Sequence, residues 1–161
     1  MWAVVVVFGF SLLGLTIGVH FSRRITTRRR YFEDCILLIN SLVGEFRFKQ
    51  GKLVDVLLGE SERFNRELKQ NILDFVCYIC GKTDTLELNL SHCNKREKSI
   101  IVDMFSVLGM YDLDTQVMVL ENFKHKISEF YESEKQRESR YCTSYVKLGI
   151  LAGIAVGVLI V

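Results

Sequence analysis

Apolar residues open and close this chain in blocks and mark its middle in stripes. Residues 1–22 and 148–161 contain no Asp, Glu, Lys or Arg, so every charged residue lies between them. In that middle the apolar positions recur at three- and four-residue intervals, which places them on one face of a helix. Ile36, Ile39, Leu42, Val43 and Phe46 form one stripe, and Phe64, Leu68, Ile72, Phe75, Val76 and Ile79 a second. Ile100, Ile101, Met104, Phe105 and Leu108 form a third, and Val117, Leu120, Phe123, Ile127 and Phe130 a fourth. Residues 53–58, after Gly51, predict a further short helix. Leu86, Leu88 and Leu90 alternate with Glu87 and Asn89 at strand spacing. A lone strand has no partner in an all-helical domain, so this stretch reads as a loop or short helix.

Helix-boundary residues agree with the stripes. Asn94 with Glu97 has capping-box spacing ahead of the third stripe. Leu108-Gly109 reads as a helix end with glycine in the left-handed position. Asp112 then reads as the next N-cap, with Asp114 favoured in the first turn by the helix dipole. From there the pattern runs to about residue 147 with no stop, as a helix continuing into a membrane segment does. The first block is expected to run on into the helix of Ile36 in the same way.

The end blocks predict membrane anchors. The first, residues 2–21, matches the ~20 apolar residues needed to cross about 30 Å of hydrocarbon. It lacks the basic n-region of a cleaved signal peptide, so a retained anchor is expected. The second block covers about 21 Å as a helix and calls for snorkelling by Lys147 or a thinned bilayer. Gly149, Gly153 and Gly157 recur every fourth residue, a spacing for close helix contact in lipid, with Gly9, Gly14 and Gly18 as the facing candidates. Arg23, Arg24, Arg28, Arg29 and Arg30 follow the first block, and Lys135, Arg137, Arg140 and Lys147 precede the second. Positive flanks stay in the cytoplasm, so residues 23–147 are expected inside and both termini outside. The expected organisation is an anchor at 1–22, a cytoplasmic helical bundle domain at 23–147 and a C-terminal transmembrane segment at 148–161. At a membrane boundary the arginines read as orienting charges and headgroup contacts and not as a nucleic-acid patch.

Composition changes this picture little. The chain has no proline, so nothing forces a break within a helix. Its formal net charge is only +2, and no repeat or low-complexity tract divides the middle. Five cysteines are present, and a reducing cytoplasm disfavours structural disulfides among them. Cys77 and Cys80 have metal or redox spacing, and His92 and Cys93 would complete a four-ligand set. The Cys77/Cys80 pair lies within an apolar helical stripe, where cysteine is an ordinary small core residue. No phosphate-cradling glycine loop, nucleophile elbow or His-Glu-x-x-His motif occurs. His20 and His125 read as bland surface residues, and Glu45, beside an apolar stripe, as a surface or intersubunit contact. No catalytic residue, cofactor or metal is therefore expected.

The run Phe105-Ser106-Val107-Leu108-Gly109-Met110-Tyr111-Asp112, followed by Gln116, resembles the F-x-x-Leu-Gly-x-x-Asp-x-x-x-Gln run of the stage III sporulation protein AB family. Upstream, Leu42-Val43-Gly44-Glu45-Phe46 and Leu53 resemble that family's Leu-x-x-Glu-Ile segment and the short helix after it. The glycine-bearing end from Leu148 to Gly153 follows in the family's order. Lys49 and Lys52 stand where the family places a glycine and a proline, and the Cys77/Cys80 pair is foreign to it. The resemblance implies a non-enzymatic adaptor in the cell membrane of an endospore-forming bacterium, on the mother-cell side of the channel to the forespore. It implies an all-α antiparallel bundle, similar to the F-type platform of type II secretion, held between two transmembrane helices. The implied partners are a hexameric secretion-type ATPase and other stage III sporulation membrane proteins, with a homo-oligomer also compatible. Leu42, Glu45, Leu108, Gly109, Asp112 and Gln116 are the implied fold or contact positions. Two alternatives are a membrane-tethered zinc or redox sensor and a secretion platform outside sporulation.

Overall fold

The computed structural model describes the backbone of residues 2–48 and 52–160, with side chains described for all of these except 2–7, 10, 11, 21, 48, 142, 143, 145, 146, 149, 153 and 157–160. Five helices follow in order: α1 (Trp2–Phe48), α2 (Leu53–Ser61), α3 (Arg66–Ile79), α4 (Lys95–Ser106) and α5 (Leu113–Ile160). No strand occurs among the described residues. The expected all-helical class and each expected helix are present. The described parts of the two end blocks are helical and belong to α1 and α5, which are 47 and 48 residues long.

The chain divides into two compact units, Arg30–Tyr131 and the pair Met1–Arg29 with Glu132–Val161. The compact bundle is thus shorter than the expected 23–147, because residues 23–29 and 132–147 group with the ends.

In the bundle, the apolar stripes meet as their spacing requires. Phe32, Leu38, Ile39 and Leu42 of α1 are fully buried with Leu57 of α2 and Leu68, Ile72 and Phe75 of α3. Ile101, Met104 and Phe105 of α4 and Leu120 and Ile127 of α5 complete the core. Burying each large side chain contributes roughly 1.5–3 kcal/mol. Phe75 and Phe105 add an edge-to-face contact, ring centroids 5.2 Å apart. Ile79 departs from its stripe and is exposed, because α3 ends at the next residue.

Caps set the boundaries. The Asn65 side chain accepts from Leu68 N at 2.9 Å and starts α3. Asp34 of α1 accepts from both the backbone N and side-chain Nδ2 of Asn65, at 2.9 and 2.7 Å, and so fixes where α3 begins. Burial raises the Asp34 pKa, opposed by these two hydrogen bonds. At α4 the capping box is complete: Glu97 N donates to Asn94 Oδ1 at 2.9 Å, and Asn94 N donates to Glu97 Oε2 at 2.8 Å.

The alternating leucines lie in an irregular connection between α3 and α4. Leu90 is buried and Leu86 and Leu88 pack on the core, while Glu87 and Asn89 face solvent. The missing strand partner is a side chain. Asn71 of α3 accepts from Asn89 N at 2.7 Å and donates to Asn89 O at 3.2 Å. One amide thus stands in for a neighbouring strand.

In the second unit, the N-terminal part of α1 and the C-terminal part of α5 run antiparallel. Thr26 meets Glu138, Arg28 meets Glu134, and Phe8, Leu12, Leu15 and Ile150 line one apolar cleft. Residues 8–15 of α1 thus lie by Ile150 of α5, and residues 26–29 by Glu134 and Glu138. Gly18 is buried and Gly14 half-buried, whereas Gly9 is exposed with open space around it. The contacts expected of Gly149, Gly153 and Gly157 lie outside the described side chains.

Among the described residues no helix is long and apolar enough to cross a membrane. The expected spans find no support there. The described side chains of the first block form stretches such as residues 12–20, too short for a crossing, and much of both blocks lies outside the described residues.

Candidate functional site

The sequence motif running from Phe105 to Gln116 folds into the corner between α4 and α5. Phe105 and Leu108 point into the core. Gly109 then adopts φ +79°, a left-handed conformation that a side chain resists. Added bulk would also strike Leu53 of α2, whose Cδ2 lies 3.1 Å from the position of a Cβ at Gly109. Asp112 caps α5 by accepting from Thr115 N at 3.3 Å, and hydrogen bonds from the Thr115 side chain and then its backbone hold the Asp112 pKa below the usual carboxylate value. Gln116, one turn along α5, reaches back and accepts from Gly109 N at 3.1 Å. The spacing of the motif is therefore the geometry of one tight corner.

Two features of this corner exceed what a turn needs. Gln116 is 2 % exposed, and its Nε2 is buried without a hydrogen-bond partner. Met110, Tyr111, Leu113 and Met118 are exposed beside it. A contact surface requires such apolar side chains held on a rigid base. Of the other expected positions, Leu42 is wholly buried in the core and Glu45 is half-buried on α1. The structure gives Leu42 a packing role.

The arginine cluster divides into two kinds. Arg28 Nη2 lies 3.3 Å from Glu134 Oε1, and Arg29 pairs with Glu138. Thr26 Oγ1 also donates to Glu138 at 2.8 Å, and Arg137 Nη1 to Glu134 at 3.1 Å. These groups latch the ends of α1 and α5 together. Arg23, Arg24 and Arg30 are exposed. The sequence treats the five arginines alike, but only three point away from the latch. Glu134, 4 % exposed, is the key residue that sequence reading missed. Its one-turn spacing to Glu138 was a usable signal, but only once the antiparallel register is known.

The cysteines do not assemble a ligand set. Cys77 is half-buried in α3, Cys80 is exposed at its end, and His92 Nε2 lies 2.9 Å from Glu67 Oε1. Among the described residues no group of three or more His, Cys, Asp or Glu side chains could hold a metal ion. Cys35 is fully buried, and burial, then the neighbouring Cys93, pushes its thiol up. Tyr31 is likewise raised, first by burial, and Asn71 Nδ2 donates to its hydroxyl at 3.1 Å. A thiol held protonated in this way is a poor nucleophile and a poor ligand. Tyr31, Cys35, Asn71 and Cys93 form a structural polar cluster that steadies the connection before α4.

Comparison with curated proteins and with solved structures gives no significant match. The family model of stage III sporulation protein AB matches residues 1–161, end to end. The corner of Leu108, Gly109, Asp112 and Gln116 and the all-helical build agree with the resemblance read from those residues, and the chain belongs to the stage III sporulation protein AB family.

Proposed function

We propose that this protein, whose family places its role in stage III of sporulation, is a non-enzymatic membrane adaptor. In this reading the ends of α1 and α5 enter the mother-cell membrane from the cytoplasmic side, with both termini beyond it. The bundle stays in the cytoplasm and couples a hexameric secretion-type ATPase to the channel components in the membrane. The observation that carries the reading is the layout of the two long helices. Each holds an uncharged apolar end and a core-forming stretch of the bundle in one unbroken helix. Movement imposed on the bundle then passes along two helices without an intervening loop.

The α4–α5 corner is the proposed ATPase-facing surface. Exposed Met110, Tyr111, Leu113 and Met118 offer apolar contact. The proposal assigns no reaction to the chain.

The test has two arms in sporulating cells. In the first, a cysteine added at the C-terminus is probed with a membrane-impermeant maleimide. Labelling from outside supports the double anchor, and labelling only after lysis overturns it. In the second, solubilised protein is purified and its partners identified. Recovery of a secretion-type ATPase, lost on changing Met110 and Tyr111 together to serine, supports the adaptor. Failure to recover the ATPase from cells arrested after engulfment overturns it.

A further inference from the structure

A second cleft lies at the polar level of the paired ends. It has a volume of about 410 Å³ and is lined by Ile25 of α1 and by Ser133, Gln136, Arg137, Arg140 and Tyr141 of α5. No carboxylate lines it among the described residues. Arg137 shares one of its five donors with Glu134 and keeps the rest. Arg140 is exposed and has no acidic partner among the described residues. Ser133, Gln136 and Tyr141 add neutral hydrogen-bonding groups, and Ile25 supplies one apolar wall. Two guanidinium groups, Arg137 with a single acidic partner and Arg140 with none among the described residues, ringed by neutral hydrogen-bonding groups, make a site for a phosphate oxyanion.

The charge of the whole unit points the same way. The paired ends carry eight basic and three acidic side chains, and the bundle thirteen basic and sixteen acidic. The three acids of the ends are Glu132, Glu134 and Glu138, and two of them are occupied by Arg28, Arg29 and Arg137. A strong positive excess therefore surrounds the cleft.

Position chooses among sources of phosphate. Ile25 is four residues past Phe21, about 6 Å along a helix. Headgroups occupy roughly 5–7 Å on each side of the hydrocarbon. Tyrosine and long basic side chains belong at that depth. We propose that the cleft of Arg137, Arg140, Ser133, Gln136 and Tyr141 binds the phosphate headgroup of an anionic phospholipid, with Ile25 against its glycerol end. This inference rests on the membrane reading above and adds a lipid-specific site to it. The site locks the depth of the two helices at the cytoplasmic leaflet.

The test is native mass spectrometry of the full chain in an uncharged detergent, with phosphatidylglycerol and phosphatidylcholine of identical acyl chains. The expected result is one retained phosphatidylglycerol, at least five-fold over phosphatidylcholine. Arg137→Gln with Arg140→Gln should reduce that preference at least five-fold, and the double Lys variant should keep most of it. Helix content by circular dichroism checks that each variant is folded. Equal retention of the two lipids, or an unchanged preference in the Gln variant, overturns the site. Glycerol phosphate displacing the lipid at equal concentration overturns the lipid source and leaves a free-phosphate site. The membrane reading is judged separately by the maleimide labelling of the C-terminus, which does not depend on headgroup charge.

Discussion

The bundle Arg30–Tyr131 and the paired ends are held together by different means. The bundle closes over a continuous apolar core from all five helices, and its polar contacts, such as Asn71 to Asn89, orient parts that the core already holds. Among the described residues the ends meet through the ion pairs Arg28–Glu134 and Arg29–Glu138, the Thr26–Glu138 hydrogen bond, and a cleft of Phe8, Leu12, Leu15 and Ile150. Apolar side chains there remain largely exposed: Phe8, Leu13, Ile17, Leu148 and Leu151 are each more than half exposed. In water such a surface is costly. The difference teaches that the bundle is held by buried apolar packing, while the ends are held by ion pairs over apolar side chains left exposed, and it is this exposed surface that the membrane proposal draws on.

The largest effect expected of a single change is in the core. Phe105→Ala removes a wholly buried ring packed on Phe75 and should destabilise the bundle by about 3–5 kcal/mol. Hydrogen exchange in detergent should show the bundle amides opening faster, with those of the ends little changed. Equal acceleration in both units would show that they unfold together and would break the comparison.

Next comes the latch. Glu134→Gln leaves Arg28 and Arg137 without their shared carboxylate. Glu134 is buried but its partners are partly in water, so the cost is about 1–3 kcal/mol. The loss should appear as faster exchange around residues 24–30 and 132–140, with the bundle melting point nearly unchanged. A drop in the bundle melting point equal to that of Phe105→Ala would assign Glu134 to the bundle core instead.

The α4–α5 corner should respond between these and the surface. Gly109→Ala forces a side chain into left-handed backbone, costing about 1–2 kcal/mol, and presses on Leu53. Thermal unfolding would register the loss. A variant as stable as the parent would mean the corner can relax, and that glycine there serves something other than the turn.

What could be read from the sequence follows from range. Asn94 and Glu97 are three residues apart, so a capping box was legible, as were the helix end at Leu108-Gly109 and the cap at Asp112. The stripes of α1, α3 and α4 were legible because helical burial is periodic. The backbone partner of Asn89, within the alternating leucines, was not, because it is the Asn71 side-chain amide eighteen residues back. Glu134 was not, because its partner across the helices, Arg28, lies more than a hundred residues away and depends on a register that no local pattern states. The compact unit Arg30–Tyr131 is narrower than the charged middle of the chain, because charge marks composition, whereas packing marks where a core begins.

The smallest effects sharpen the comparison from within the bundle, where two aspartates titrate in opposite senses. Asp112 has a lowered pKa from its hydrogen bonds to Thr115, so its stabilising charge is fully present above about pH 4 and is lost as pH falls through its folded value. Asp34 has a raised pKa, chiefly from burial, so its charged form is a burden above about pH 4 that lifts as pH falls through the raised value. Urea unfolding from pH 3 to pH 7 would separate them. The difference between wild type and Asp112→Asn should shrink below pH 4. For Asp34→Asn, wild type should gain on the variant as pH falls toward 4. Parallel profiles for the two variants would mean that neither local environment governs the titration, and that the bundle's stability is as charge-dependent as that of the ends.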